Sequence, residues 1–225
     1  MMMDRIPPVW VGQAHSYHAD EAFFATSKIA MTRSGMDEFR MFQLWHMVGE
    51  AAKLPDGDIL EVGCAYGGSG FVIAVRAKLS KLTSEIHLCD TFAGLVKAGA
   101  HDIQKDGEMH GPDGPHQAEV VEFLGAHGLG GINVIQGVFP ENCEHLDNAR
   151  YRFVHLDVDI YQSVKDAFGA VWPRMVPGGI VVIDDYGEAS CGGITRFVDE
   201  SLPMLDACWF LHGAFQAIAV KRGVV

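Results

Sequence analysis

From residue 58 onward the chain alternates short apolar runs with longer stretches whose apolar positions recur at helical spacing. The short runs cover 58–62, 84–90, 132–136, 151–157 and 178–184, and residues 67–80, 161–175 and 194–202 fit helices between them. These runs are continuously apolar rather than alternating, as expected of strands buried on both faces of a parallel sheet. Each ends on a carboxylate or leads into a glycine, where a loop should begin. Two final runs, 207–212 and 215–220, are separated only by Gly213 and Ala214 and predict an antiparallel hairpin at the sheet edge. The pattern predicts an α/β fold built on one mostly parallel sheet with helices on both faces.

Two regions stand outside this alternation. Residues 1–57 carry no strand signal and end in the turn Pro55-Asp56-Gly57, so they are expected to form an N-terminal helical extension beside a domain over 58–225. Ser34 to Asp37 reads as a capping box, with Phe39, Phe42 and Trp45 marking one face of the helix that follows. Residues 97–116 are polar and rich in Gly, Pro and His. A loop of that length in a compact domain is a lid, a binding loop or disorder.

Composition narrows the function classes. The 225 residues carry 17 Lys+Arg against 29 Asp+Glu, a formal charge of −12. Such an excess of acid argues against nucleic acid or an anionic membrane as the main partner, and leaves carboxylates available for cations. The five cysteines form no CxxC pair, so a zinc site or a redox motif is not expected, and their odd count fits reduced cytoplasmic thiols. No apolar signal region follows Met1, and the uncharged stretch 207–220 falls short of the roughly 20 residues a membrane helix needs. Glycine is the outlier: 26 are present, against roughly 16 at a typical usage of about 7%.

Some of those glycines cluster in EVGCAYGGSG, residues 61–70, between an apolar run and a helix. Missing side chains let a ligand approach the backbone, and a helix N-terminus offers free N–H groups. The dinucleotide fingerprint fails in detail, because Ala65 stands where its second glycine belongs. The pattern Glu-x-Gly-x-x-x-Gly looks more like an S-adenosylmethionine loop, with an ordinary βα turn as the plain alternative. Asp90 ends the next apolar run, where an acid accepts bonds from ribose hydroxyls or stands as a solvated strand end. Asp157, in HLDVD, and the pair Asp184-Asp185, in IDDYG, end two further runs. Neighbouring parallel strands bring such ends together, and converging carboxylates repel unless a cation sits among them. Oxygen donors suit Mg²⁺, Mn²⁺ or Ca²⁺, whereas any single Asp could instead cap the next helix. Among the histidines, His101, His110 and His116 fall in the long loop, where a substrate role is open. His155 shares a strand face with Asp157 and is read as a hydrogen-bonded core residue. Cys64 and Cys191 flank the proposed site with no sign of activation.

With these residues in view, the chain resembles the macrocin O-methyltransferase (TylF/MycF-like) family, which methylates sugar hydroxyls of natural products. The matching strings are EVGCAYGGSG, CDTFAGL, IQGVFPEN, HLDVDIYQS, PRMVPGGIVVIDDYG and GGITRFVDE, in the family's order over about residues 58–200. The resemblance implies a Rossmann-like class I methyltransferase fold, a seven-stranded sheet with its last strand antiparallel. It implies S-adenosylmethionine held by Glu61, Gly63, Ala65, Tyr66, Gly67 and Ser69 around its methionine part. Asp90, with Thr91 and Phe92, would take the ribose, and Gly137-Val138 would border the adenine. Mg²⁺ (or Mn²⁺ or Ca²⁺) would sit on Asp157, Asp184 and Asp185. For the chemistry itself, Asp157 or Asp159 is expected to take the hydroxyl proton as the catalytic base.

The expected partner is a small hydroxyl-bearing acceptor, with a homo-oligomer left open. More distantly, EVGCAYGG and the spaced acids look similar to catechol-type O-methyltransferases, so a phenolic acceptor is the leading alternative. A nucleotide-sugar glycosyltransferase would use Asp157-Val-Asp159 as a DxD string but does not require the glycine loop. A non-catalytic module that only binds the cofactor is the remaining class.

Overall fold

The computed structural model describes residues 20–109, 114–143, 146, 148–205, 207–212 and 215–223. Seven strands form one sheet: β1 (Asp58–Val62), β2 (Ile86–Asp90), β3 (Asn133–Gln136), β4 (Tyr151–Leu156), β5 (Met175–Ile183), β6 (Ala207–His212) and β7 (Gln216–Lys221). Their spatial order is β3-β2-β1-β4-β5-β7-β6, with every pairing parallel except those made by β7. The expected hairpin is there, with Ala207 opposite Lys221 and His212 opposite Gln216, while its turn at 213–214 lies outside the described residues. The strand order reverses between β1 and β4. Open α/β sheets bind ligands beyond the carboxyl ends of their strands at such a switch point.

Six helices cover the two faces: α1 (Glu21–Ala30), α2 (Glu38–Ala51), α3 (Gly68–Leu79), α4 (Gln117–Ala126), α5 (Tyr161–Val171) and α6 (Gly192–Ser201). Because side chains alternate along a strand, neighbouring residues feed opposite cores. Ile59, Phe153 and Val182 pack with buried residues of α1 to α4, while Leu60, Val154 and Val181 pack with those of α5 and α6. α1 and α2 therefore share a core with the sheet, through Phe23, Met41, Leu44, Trp45 and Val48.

The start of α2 differs from the sequence expectation. Asp37 is the N-cap, accepting from the backbone N–H of Phe39 at 2.8 Å and of Arg40 at 3.0 Å. Ser34 instead accepts from Met36 N–H, so no capping box forms between Ser34 and Asp37. The buried stripe is correspondingly Met41, Leu44, Trp45 and Val48, and Phe39 is 48% exposed. The apolar pattern does not mark α4, because the exposed Val121 sits beside the buried Val120.

The segment 97–109 is tied down at several points. Asp102 Oδ1 accepts from Tyr161 N–H at 2.9 Å, and Val96 O accepts from Ser163 Oγ at 2.8 Å. Lys97 pairs with Glu141 and Asp166. Asp102 thereby supplies α5 with an N-terminal acceptor that its own N-cap, Ile160, lacks.

Candidate active site

A cleft of about 490 Å³ opens at the carboxyl ends of β1, β2, β4 and β5. Its floor is the turn after β1. Gly63 adopts φ +93°, and a Cβ there would overlap the carbonyl oxygen of Asp157, because the chain leaving β4 runs beside β1 closely enough for Asp157 N–H to reach Val62 O at 2.9 Å. Only a residue without a side chain fits that close approach. The turn is clamped to β2, since Asp90 Oδ2 accepts from Ala65 N–H at 2.8 Å and Oδ1 from Phe92 N–H at 2.8 Å. Asp90 is thus fixed on the cleft wall, with both oxygens oriented by the backbone. Gly137 follows β3 and donates its N–H to Asp90 O at 2.9 Å, which brings Gly137 and Val138 to the same end of the cleft.

At the other end, Asp157, Asp159, Asp184 and Asp185 converge from β4 and β5. Asp159 and Asp185 hold positive φ angles of 57° and 64°, an uncommon state that a carboxylate side chain tolerates better than most. Burial first, then Asp184 and Asp185, push Asp157 well above the usual carboxylate range. Asp185 is pushed up to about 8 by burial and by the Asp184 and Asp159 charges. Burial raises Asp184 too, against the opposing pull of His155, Arg40 and Gln216. Arg40, on α2, places Nη1 at 2.7 Å from Asp184 Oδ2 and 3.1 Å from Asp185 Oδ1. Gln216, the first residue of β7, donates Nε2–H to Asp184 Oδ1 at 2.8 Å.

Beneath the acids, His155 Nδ1 lies 2.8 Å from Glu61 Oε1, both side chains being fully buried. This is the hydrogen-bonded core histidine expected from the sequence. Its other nitrogen, Nε2, is buried without a partner, and ligand atoms of His155, Asp157 and Asp184 lie within 4.8 Å of one another.

The cleft thus gathers Gly63, Ala65, Tyr66, Ser69, Asp90, Thr91, Gly137, Val138 and all four acids onto one surface. Glu61, Gly67 and Phe92 do not line it. Glu61 faces the core against His155, Gly67 caps α3 with its backbone, and Phe92 is buried. Of the loop histidines, His101 stacks edge-on to Tyr161 and bonds Arg196, His116 precedes α4, and His110 lies outside the described residues. Cys64 and Cys191 are both buried, and burial raises both thiols, so neither is poised as a thiolate. Sequence reasoning missed Arg40, Gln216 and the wall formed by Arg33 to Met36. No local signal marks them, because each reaches the site through tertiary packing.

Comparison with known proteins places these features in context. The family model described as Macrocin-O-methyltransferase (TylF) matches residues 16–201. A tetracenomycin-C derivative 4'-O-methyltransferase from Streptomyces olivaceus, named for its dimethoxy-rhamnosyl substrate, is 30% identical over 144 residues. That match covers 60% of this chain but only 55% of the relative. Mycinamicin III 3''-O-methyltransferase from Micromonospora griseorubida is 28% identical over 175 residues, 72% of this chain and 68% of the relative. Among solved structures, the O-methyltransferase NovP shares the fold with TM-score 0.69 at 18% identity, covering 85% of this chain and 83% of that one. The calicheamicin methyltransferase CalS11 does so with TM-score 0.68 at 17% identity, covering 93% and 98%. The expected class I methyltransferase architecture is therefore the one observed.

Proposed function

Because the chain belongs to the macrocin O-methyltransferase family, we propose that it moves a methyl group from S-adenosylmethionine to a hydroxyl of a small glycosylated molecule, with a divalent cation at Asp157, Asp184 and Asp185. The sugar acceptor is suggested by the relatives, one named for a rhamnosyl-bearing substrate and the other for the macrolide mycinamicin III. The observation that carries the reading is the pairing of the Ala65–Asp90 clamp with four converging acids in one cleft.

The residues fit such a cation on their chemistry. The acids offer hard oxygen donors, Arg40 alone does not balance their charge, and the buried His155 Nε2 lacks a partner. When bound, S-adenosylmethionine supplies a methyl on positively charged sulfur, and the cation makes a neighbouring hydroxyl more acidic. The chain's own residues do the remaining work. Gly63 and Ala65 line the cleft where the cofactor's methionine part would lie, and Asp90 would accept from its ribose hydroxyls. Asp157 or Asp159 takes the acceptor's hydroxyl proton, both carboxylates lining the cleft beside the proposed cation. The acceptor enters past Asp159 and Leu95, which also line a smaller neighbouring hollow of about 290 Å³ formed with Ile103, Gln104 and Met109.

The test is S-adenosylhomocysteine formation across a panel of glycosides and phenols, with and without EDTA. Turnover of glycosides that EDTA abolishes and Mg²⁺ restores is the expected result. Full activity in EDTA overturns the cation; preference for phenols overturns the sugar acceptor. Binding of S-adenosylmethionine with no turnover on any acceptor would reduce the protein to a binding module.

A further inference from the structure

Resting on the cation reading above, we propose that Arg40 is a built-in stand-in for the divalent ion. Arg40 and the ion would compete for Asp184 and Asp185, so that cation binding is coupled to the N-terminal wall of the cleft.

The geometry carries the competition. Arg40 Nη1 sits 2.7 Å from one oxygen of Asp184 and 3.1 Å from one oxygen of Asp185, bridging the two residues. A divalent ion shared by the same carboxylates needs oxygens at roughly 2.0–2.6 Å, which is the space the guanidinium fills. Two cations cannot share that point, and repulsion between them in a partly buried site is large. Arg40 is only 16% exposed, so it is not screened as a surface arginine would be.

Arg40 does not complete the site, however. His155 Nε2, fully buried beside Asp157 and Asp184, is left without a partner while Arg40 is in place. An unpartnered buried nitrogen aimed into an acidic cluster marks room for a further ligand-seeking group.

Release of Arg40 also has a ready path. Its Nε already bonds Asp37 Oδ2 at 3.1 Å, so a guanidinium leaving Asp184 and Asp185 keeps one carboxylate partner. Asp37 is the N-cap of α2, and Arg33 to Met36 just before it wall the cleft. The ion is thereby coupled to the segment that walls the cleft.

The experiment is a Mn²⁺ titration of chelator-treated protein, followed by electron paramagnetic resonance, for wild type and R40Q. Hydrogen exchange over 33–40 is measured on the same samples. R40Q should bind Mn²⁺ about tenfold or more tightly, as expected on removing a positive charge from a partly buried cation site. Saturating Mn²⁺ should speed exchange over 33–40 in wild type and leave it unchanged in R40Q. Should R40Q fold only with the ion present, the rise of its melting temperature with Mn²⁺ concentration replaces the titration, and a steeper rise than wild type supports the competition. Equal or weaker Mn²⁺ binding by R40Q overturns it while leaving the cation site standing. If neither protein binds Mn²⁺, both the competition and the cation site fall, whereas S-adenosylhomocysteine affinity, measured in parallel, continues to report on the cofactor half.

Discussion

Asp185 shows most directly what single residues endure in this cleft. A carboxylate raised from its ordinary 3.8 to about 8 keeps its proton in the folded state over a window where the unfolded chain has released it. Folding stability from this group therefore falls as pH rises from about 4 to about 8, and Asp157 and Asp184, raised as well, act in the same direction. The melting temperature of chelator-treated protein should drop across that window, and a divalent cation should flatten the drop by favouring the charged carboxylates. A profile that rises through the window in chelator would contradict the uncompensated cluster. At this scale the sequence is unevenly readable. Asp90, Asp157, Asp184 and Asp185 could be found because each stands at the end of an apolar run, and strand ends are where open sheets work. Arg40 and Gln216 could not, since each meets Asp184 from far along the chain, 144 and 32 residues away. Glu61 was recognisable as part of the loop, but strand alternation turns its side chain into the core rather than the cleft.

Between elements, two junctions decide whether the cleft keeps its shape. The first is the close approach at the ends of β1 and β4, where Gly63 abuts the Asp157 carbonyl and also needs a positive φ. Gly63→Ala meets both penalties at once and should destabilise the fold by about 3 kcal/mol or more, measured by urea denaturation. A loss below about 1 kcal/mol would mean that the close approach relaxes easily. The second junction is Asp102, which binds the long loop to the start of α5 through Tyr161 N–H and to its own turn through Gly99 N–H. Removing an N-terminal helix acceptor costs about 1 kcal/mol. Asp102→Ala should therefore lower stability slightly and raise the acceptor KM, with cofactor affinity unchanged; a change in S-adenosylhomocysteine binding instead would place the loop on the cofactor side. Strands, the hairpin and three helices were readable from periodicity alone. The start of α2 was not, because Asp37 and Ser34 both have the chemistry of a cap and only packing selects between them.

The whole molecule behaves as two cores on one sheet. Residues 1–57 are expected as an N-terminal helical extension, and of those described Phe23, Met41, Leu44 and Trp45 bury themselves with Ile59, Phe153 and Val182 of the sheet. Leu44→Ala should accordingly cost about 2–5 kcal/mol and lower the unfolding midpoint of the entire chain. Tryptophan fluorescence and far-ultraviolet dichroism should report one shared transition, whereas an early, separate loss of helix signal would mean that the extension folds independently of the sheet. No helix among the described residues is long and apolar enough to cross a membrane.

β7 runs against its neighbour β5, so its first residue, Gln216, arrives where β5 ends and donates a hydrogen bond from its amide N–H to Asp184. It is also the strand synthesised after the other six. A nascent chain halted short of residue 216 already carries the glycine turn and all four aspartates, yet it leaves one edge of β5 bare and Asp184 without that donor. The groups that hold charge in the acidic pocket are thus made before the group that orients one of them.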